Sequence, residues 1–175
     1  PILLGFPPFR LCPLYWQGGD IGMAAMIWDA IDKQVPGVKG VWIIEDAATK
    51  MPVISIEQLY AGQAKEAALI AKIHSDLCRI IIVVDDDIDP SNISEVIWAL
   101  GTRCNPETGI DIIRGTATNI KDPLIPPEKR KRNDLSSSVA IVMACKPYGW
   151  IKEFPPVIRS SSELLKKTRE KWAIQ

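Results

Sequence analysis

The chain has 175 residues, 47% hydrophobic and 24% charged, the make-up of an ordinary globular domain with enough apolar side chain to bury a core. Its 21 Lys and Arg balance 21 Asp and Glu, so charge gives no reason to expect a nucleic acid or an anionic membrane surface as partner. No apolar run reaches the ~20 residues of a membrane helix; runs such as residues 80–84 are strand-length.

Pro1-Ile2-Leu3-Leu4 opens the chain as an apolar, strand-like segment with no lead-in, which suggests one piece of a longer protein. A Pro-rich stretch ends at Gly18-Gly19-Asp20. Residues 21–34 then predict a helix with Ile21, Ala24, Ala25, Trp28 and Ile31 on one buried face, stopped by Pro36-Gly37. Residues 38–44 and 51–56 predict two strands. Ser55 and Gln58 have capping-box spacing, predicting a second, alanine-rich helix to about residue 73. Arg79 followed by five β-branched residues predicts a strand buried on both faces, as in a parallel sheet. Asn92 and Glu95 repeat the capping pattern and open a helix through Leu100, followed by a strand over 110–113.

From Asp122 the texture changes. Pro123, Pro126 and Pro127, the run Glu128-Lys129-Arg130-Lys131-Arg132, and Ser136-Ser137-Ser138 predict an exposed excursion. Flanking acids favour a solvated loop over a targeting or nucleic-acid patch. Residues 139–144 predict one more strand, and Ser160 with Glu163 opens a last helix. Strands alternating with helices predict an α/β fold: a layered sheet with right-handed crossovers. The expected division is residues 1–20 as tail of a preceding domain or linker, 21–156 as the α/β domain, and 157–175 as a C-terminal helix. Cys12, Cys78, Cys104 and Cys145 lack C-x-x-C spacing and read as free thiols of a reducing, cytoplasmic compartment. With His74 as the single histidine, no zinc site is expected.

The most chemical-looking segment is Asp85-Asp86-Asp87-Ile88-Asp89-Pro90, placed where a buried strand ends. Ligands of open α/β sheets collect beyond the carboxyl ends of strands. Asp85, Asp87 and Asp89 therefore fit the divalent-metal D-x-D of a nucleotide-sugar glycosyltransferase. They equally fit a structural role, capping the helix near Asn92 and pairing with Arg79 or Arg103. The segment alone leaves both open.

Val83-Val84-Asp85-Asp86-Asp87-Ile88-Asp89-Pro90, followed by Glu95-Val96-Ile97-Trp98-Ala99-Leu100-Gly101-Thr102-Arg103-Cys104-Asn105-Pro106, resembles the signature run of the C-terminal domain of UbiD-like decarboxylases. Pro36-Gly37-Val38, Val53-Ile54-Ser55-Ile56 and Gly62-Gln63-Ala64-Lys65 are similar to the family upstream; Asp122-Pro123 and residues 150–156 fit more loosely. The resemblance implies reversible decarboxylation of an aromatic or α,β-unsaturated acid, with prenylated FMN supplying the hard chemistry. The family's proton-moving glutamates and carboxylate-holding arginine fall upstream of this part, as do the ligands of its divalent ion (Mn2+ or similar) and K+. The chain is thus expected to hold no catalytic or metal-ligating residue and to be inactive alone.

By the same resemblance Lys72 reaches the cofactor phosphate, a role suited to a point charge on a flexible stem; a solvated lysine favoured by a helix C-terminus is the plain alternative. Ser75 and Asp76 stand where relatives often carry Tyr and Thr beside the substrate. Gly18-Gly19 and the segment Gly115-Thr116-Ala117-Thr118-Asn119-Ile120 match segments that border the substrate, making Gly19, Thr116, Ala117 and Thr118 candidate pocket lining. His74 reads as a loop residue, and the six tryptophans as core or interface. The implied partners are the N-terminal and middle domains of the same enzyme, a small carboxylic acid, and further copies joined through the C-terminal helix. A non-catalytic assembly subunit with this fold is the remaining reading.

Overall fold

The computed structural model describes residues 17–44, 47, 51–75, 78–120, 122–158 and 160–172, with backbone alone at 17–20 and 162. The strand expected at residues 1–4 lies outside them, as does Asp76. The elements are α1 (Gln17–Asp32), β1 (Val38–Ile43), β2 (Pro52–Ile56), α2 (Gln63–Ile73), β3 (Ile80–Asp85), α3 (Ile93–Arg103), α4 (Pro106–Gly109), β4 (Ile110–Ala117), α5 (Pro127–Lys131), β5 (Ser136–Ala144) and α6 (Ser162–Trp172).

The expected α/β layered sheet is present: five strands in the order β1-β2-β3-β5-β4. β3 is its centre, parallel to both β2 and β5, while β1 and β4 close the edges antiparallel. Its run of β-branched residues suits that place, since both faces of a parallel strand are covered and Ile81, Ile82, Val83 and Val84 are all buried. α1 and α2 cover one face, where Ile27, Ile31, Ile54, Ile81, Val83 and Ile141 share a core with Ala64, Ala67, Ala68 and Ala71 of α2. α3 covers the other through Val96 and Ala99 against Val53, Ile82, Val84 and Ala144.

Several expectations shift. α1 starts at Gln17 and buries Ala24, Ile27, Ala30 and Ile31, leaving Ile21 and Trp28 exposed. Apolar residues surround this helix, so two stripes satisfy the helical period, and the sheet takes the one through Ile27. Ser55 caps nothing; it lies inside β2, its hydroxyl donating to the Asp85 carbonyl at 3.2 Å. α2 begins eight residues later, after Gly62 at φ 91, a left-handed conformation that glycine adopts without a Cβ penalty. The fully buried Gln63 carboxamide secures that start, accepting from Leu59 N at 2.5 Å and donating to Pro36 O at 2.5 Å and Glu57 O at 3.0 Å.

The second capping pattern forms: Asn92 Oδ1 accepts from Ser94 N and Glu95 N, and Glu95 Oε2 takes Asp89 N at 3.0 Å. α3 runs on to Arg103 rather than stopping at Leu100. β4 continues to Ala117 across a bulge at Gly115, φ 73. The serine triplet is the start of β5, not loop, because Ser136, Ser137 and Ser138 pair with Ala117, Thr116 and Arg114.

The basic run is half structural. Arg130 donates to the carbonyls of Ile120, Asp122 and Ile125, and Lys129 Nζ to Ser136 Oγ at 2.7 Å, while Lys131 and Arg132 face solvent. α6 is capped by Ser161, one position after the expected Ser160, with Leu164 N donating to Ser161 Oγ at 3.1 Å. Every α6 side chain described is exposed. None of the five described tryptophans is buried, which removes them from the core and leaves the interface reading. Among the described residues Cys78, Cys104 and Cys145 form no disulfide, and burial pushes the Cys104 thiol up and the Cys145 thiol well up. Among the described residues no helix is long and apolar enough to cross a membrane.

Candidate functional site

The parallel strands give the sheet two rims. At the carboxyl rim, β3 ends in Asp85, whose buried carboxylate accepts from Arg103 Nη1 at 2.7 Å, Lys146 N at 2.8 Å and Gln58 Nε2 at 2.6 Å. Asp87 receives the same guanidinium in a two-pronged contact, Nη1 to Oδ1 at 2.6 Å and Nη2 to Oδ2 at 2.8 Å, plus Lys146 Nζ at 3.0 Å. The Arg103 side chain is wholly out of water, its guanidinium 5.1 Å from the Trp98 ring centroid. These contacts, Arg103 first, hold the Asp87 carboxyl well below the usual carboxylate range against the opposing cost of burial.

Asp89 takes the Ser91 hydroxyl at 2.7 Å and its N–H at 2.9 Å, which lowers its carboxyl too and shapes the turn into α3. Three acids of the run are thus committed to cations and a turn. Among the described residues no group of three or more His, Cys, Asp or Glu is placed to hold a metal ion. The metal-binding D-x-D reading is corrected accordingly: Asp85 and Asp87 are ion-paired to Arg103, and Arg79 turns to Asp122 instead.

The opposite rim gathers the residues singled out by resemblance. Here α2 ends, β3 begins, and β4 finishes beside the start of β5, Ala117 opposite Ser136. Lys72, in the last turn of α2, donates from Nζ to Ala117 O at 3.0 Å and Ser75 O at 3.3 Å. Lys72, Ser75 and Ala117 therefore stand together although 45 positions separate the first from the last. Ser75 offers its carbonyl rather than its hydroxyl; the buried hydroxyl accepts from Cys78 Sγ at 2.6 Å and lies 3.5 Å from Met23 Sδ. Gly19 falls one turn before Met23 in α1, which brings that helix start toward the same rim.

Thr116 is half-buried and Ala117 exposed, and Thr118 Oγ1 donates to Asp122 Oδ2 at 3.0 Å. His74 is exposed at the end of α2, its N–H on Ile70 O at 3.2 Å, as a loop residue should be. Asp76 lies outside the described residues. An ammonium has three donors, and two of Lys72's go to carbonyls here. The third suits an anion such as a phosphate, so the residues fit that group.

Sequence reasoning missed Asp122, which is 2% exposed and accepts from the Arg79 guanidinium, Thr118 Oγ1 and Leu124 N. Its only signal was Asp122-Pro123 in a stretch that otherwise reads as loop.

The profile described as the 3-octaprenyl-4-hydroxybenzoate carboxy-lyase C-terminal domain, UbiD_C, matches residues 18–144. The chain belongs to the UbiD family. Both rims lie within the matched span apart from Lys146, and α6 lies beyond it. An uncharacterized protein of Archaeoglobus fulgidus is 28% identical over 135 residues, 74% of this chain and 27% of its own length. The phenolic acid decarboxylase of Bacillus subtilis is 35% identical over 74 residues, 41% of this chain and 16% of its own. Among solved structures, the UbiD-class enzyme HmfF from Pelotomaculum thermopropionicum in complex with FMN matches with TM-score 0.74 and 29% identity, over 85% of this chain and 32% of that one. An evolved dimeric form of HmfF in complex with prFMN matches with TM-score 0.64 and 26% identity, over 85% and 29%. This UbiD domain thus spans about a quarter of the Archaeoglobus relative and about a third of HmfF.

Proposed function

We propose that this chain is the C-terminal part of a UbiD-class carboxy-lyase that reversibly decarboxylates an aromatic or α,β-unsaturated acid on prenylated FMN. A phenolic acid decarboxylase among its relatives and the FMN and prFMN complexes of HmfF support this reading. The observation that carries it is the meeting of Lys72 with Ser75 and Ala117 at the amino rim.

When bound, the prenylated cofactor supplies the covalent electrophile and electron sink for losing or gaining carbon dioxide. Lys72 holds its phosphate as a point charge, already aimed by two carbonyls. Gly19, Thr116, Ala117 and Thr118 line the substrate side, with Ser75 and Asp76 standing where relatives often carry Tyr and Thr. The N-terminal and middle domains supply the acid–base glutamates, the arginine for the substrate carboxylate, and the ligands of the divalent ion and K+. α6 joins copies of the enzyme, which works in the cytoplasm.

The test is Lys72→Ala in the complete enzyme. A charge-assisted contact to phosphate contributes about 1.5–3 kcal/mol, so cofactor absorbance per protomer at limiting cofactor is expected to fall about tenfold or more. Enzyme that retains cofactor keeps most of its turnover. Unchanged occupancy would return Lys72 to the solvated surface.

A further inference from the structure

We infer that Asp122 is a positioning residue that holds the Lys72 site in register, an inference that rests on the reading of Lys72 as the phosphate contact. Two segments make this rim: the one leading from α2 into β3, and the one leaving β4. Lys72 bridges them through carbonyl oxygens, Ser75 O on the first at 3.3 Å and Ala117 O on the second at 3.0 Å. Asp122 fastens the same two segments by charge. Its carboxylate takes the guanidinium of Arg79, four residues past Ser75, and the hydroxyl of Thr118, the residue after Ala117, at 3.0 Å.

The Asp122 clasp is the stiffer of the two. Lys72 is a flexible side chain whose Ala117 contact lies at an exposed surface. Asp122 is 2% exposed, and its loop is wound about it. Asp122 Oδ1 also takes Leu124 N at 3.1 Å, Asp122 N donates to Asn119 O at 2.8 Å, and Arg130 binds the carbonyls of Ile120, Asp122 and Ile125. A satisfied buried network of this kind is rigid, whereas a long ammonium side chain is aimed only by what surrounds it. With its third donor on a phosphate, Lys72 stays aimed only while Ser75 O and Ala117 O keep this spacing, and Asp122 fixes that spacing. Binding is tighter where such groups are placed beforehand.

A double-mutant cycle in the complete enzyme tests this, with FMN as probe and its dissociation constant read by fluorescence quenching well below the melting temperature. Asp122→Asn keeps the shape and removes the charge. It is expected to weaken FMN binding about tenfold when Lys72 is present. In a Lys72→Ala background the same change is expected to have almost no further effect, because Asp122 acts through Lys72. An equal loss in both backgrounds would show that Asp122 serves only general stability and would overturn the inference. So would no loss in either.

If Asp122→Asn fails to fold, Thr118→Val takes its place in the cycle, with an expected loss of about tenfold for one hydrogen bond to a carboxylate. Lys72→Ala alone separates the two layers. If it leaves FMN binding unchanged, the phosphate reading falls and the inference with it. If it weakens binding while Asp122→Asn does not, the inference alone falls.

Discussion

Arg103 meets both Asp85 and Asp87 with a side chain wholly removed from water, so what it contributes depends on what replaces it. Truncating one member of a buried ion pair leaves the other charged and unpaired, and Arg103→Ala is expected to cost about 3–5 kcal/mol by urea denaturation. Asp87 is nearer solvent, and Asp87→Asn is expected to cost less, about 1–2 kcal/mol. The pH dependence follows from its lowered carboxyl. A carboxylate whose folded pKa lies below its unfolded value of about 3.9 contributes fully above that value and loses the contribution as pH falls through the folded one. The stability gap between wild type and Asp87→Asn should therefore be constant near neutrality and narrow once the pH drops below about 4. Manganese should shift the melting of neither protein. The acid run illustrates what sequence shows and what it hides: Arg103 was legible as a partner of the four aspartates, whereas Lys146, which also meets Asp87, lies 59 positions away.

α6 carries Leu164, Leu165, Thr168 and Trp172 along one side, and all are exposed. The Glu163–Lys167 ion pair at 2.9 Å is solvated and adds little. An 11-residue helix is marginal alone in water, so this one is expected to gain its stability from a neighbouring copy. Trp172 is 66% exposed within its own chain, and Trp172→Ala should leave the domain's own stability nearly unchanged. Where a second copy buries the indole, the same change should cost the oligomer about 2–4 kcal/mol. Light scattering on a truncation after Pro156 decides: a smaller assembly is expected, and an unchanged one would assign α6 to its own domain. At this scale, elements with a single apolar period or a polar cap were legible, as β3 and the Asn92 cap of α3 show. α1 was misread because it has apolar residues on two sides, and the α2 start because Gly62 and Gln63 replace the usual side-chain cap. The serine triplet looks like loop in composition, and only pairing with β4 makes it strand.

Across the whole molecule, the α/β architecture followed from the alternation of strands and helices, while the site did not. Lys72 came from family resemblance, and its meeting with Ala117 depends on a register that no local pattern encodes. The proposed function places the proton-moving groups outside this chain. Reconstituted cofactor and a panel of aromatic acids are therefore expected to yield no carbon dioxide with this chain alone, and measurable release would defeat that assignment. The order of the strands has a kinetic consequence. β3 finds one partner nearby, in β2, but its other edge waits for β5, with Ile80 pairing to Ala140. β4 and β5 can zip together first as a local antiparallel pair. The chain therefore closes its sheet late, and during synthesis its most apolar strand spends that interval with an open flank, the state in which intermediates of this topology are most prone to stick to one another.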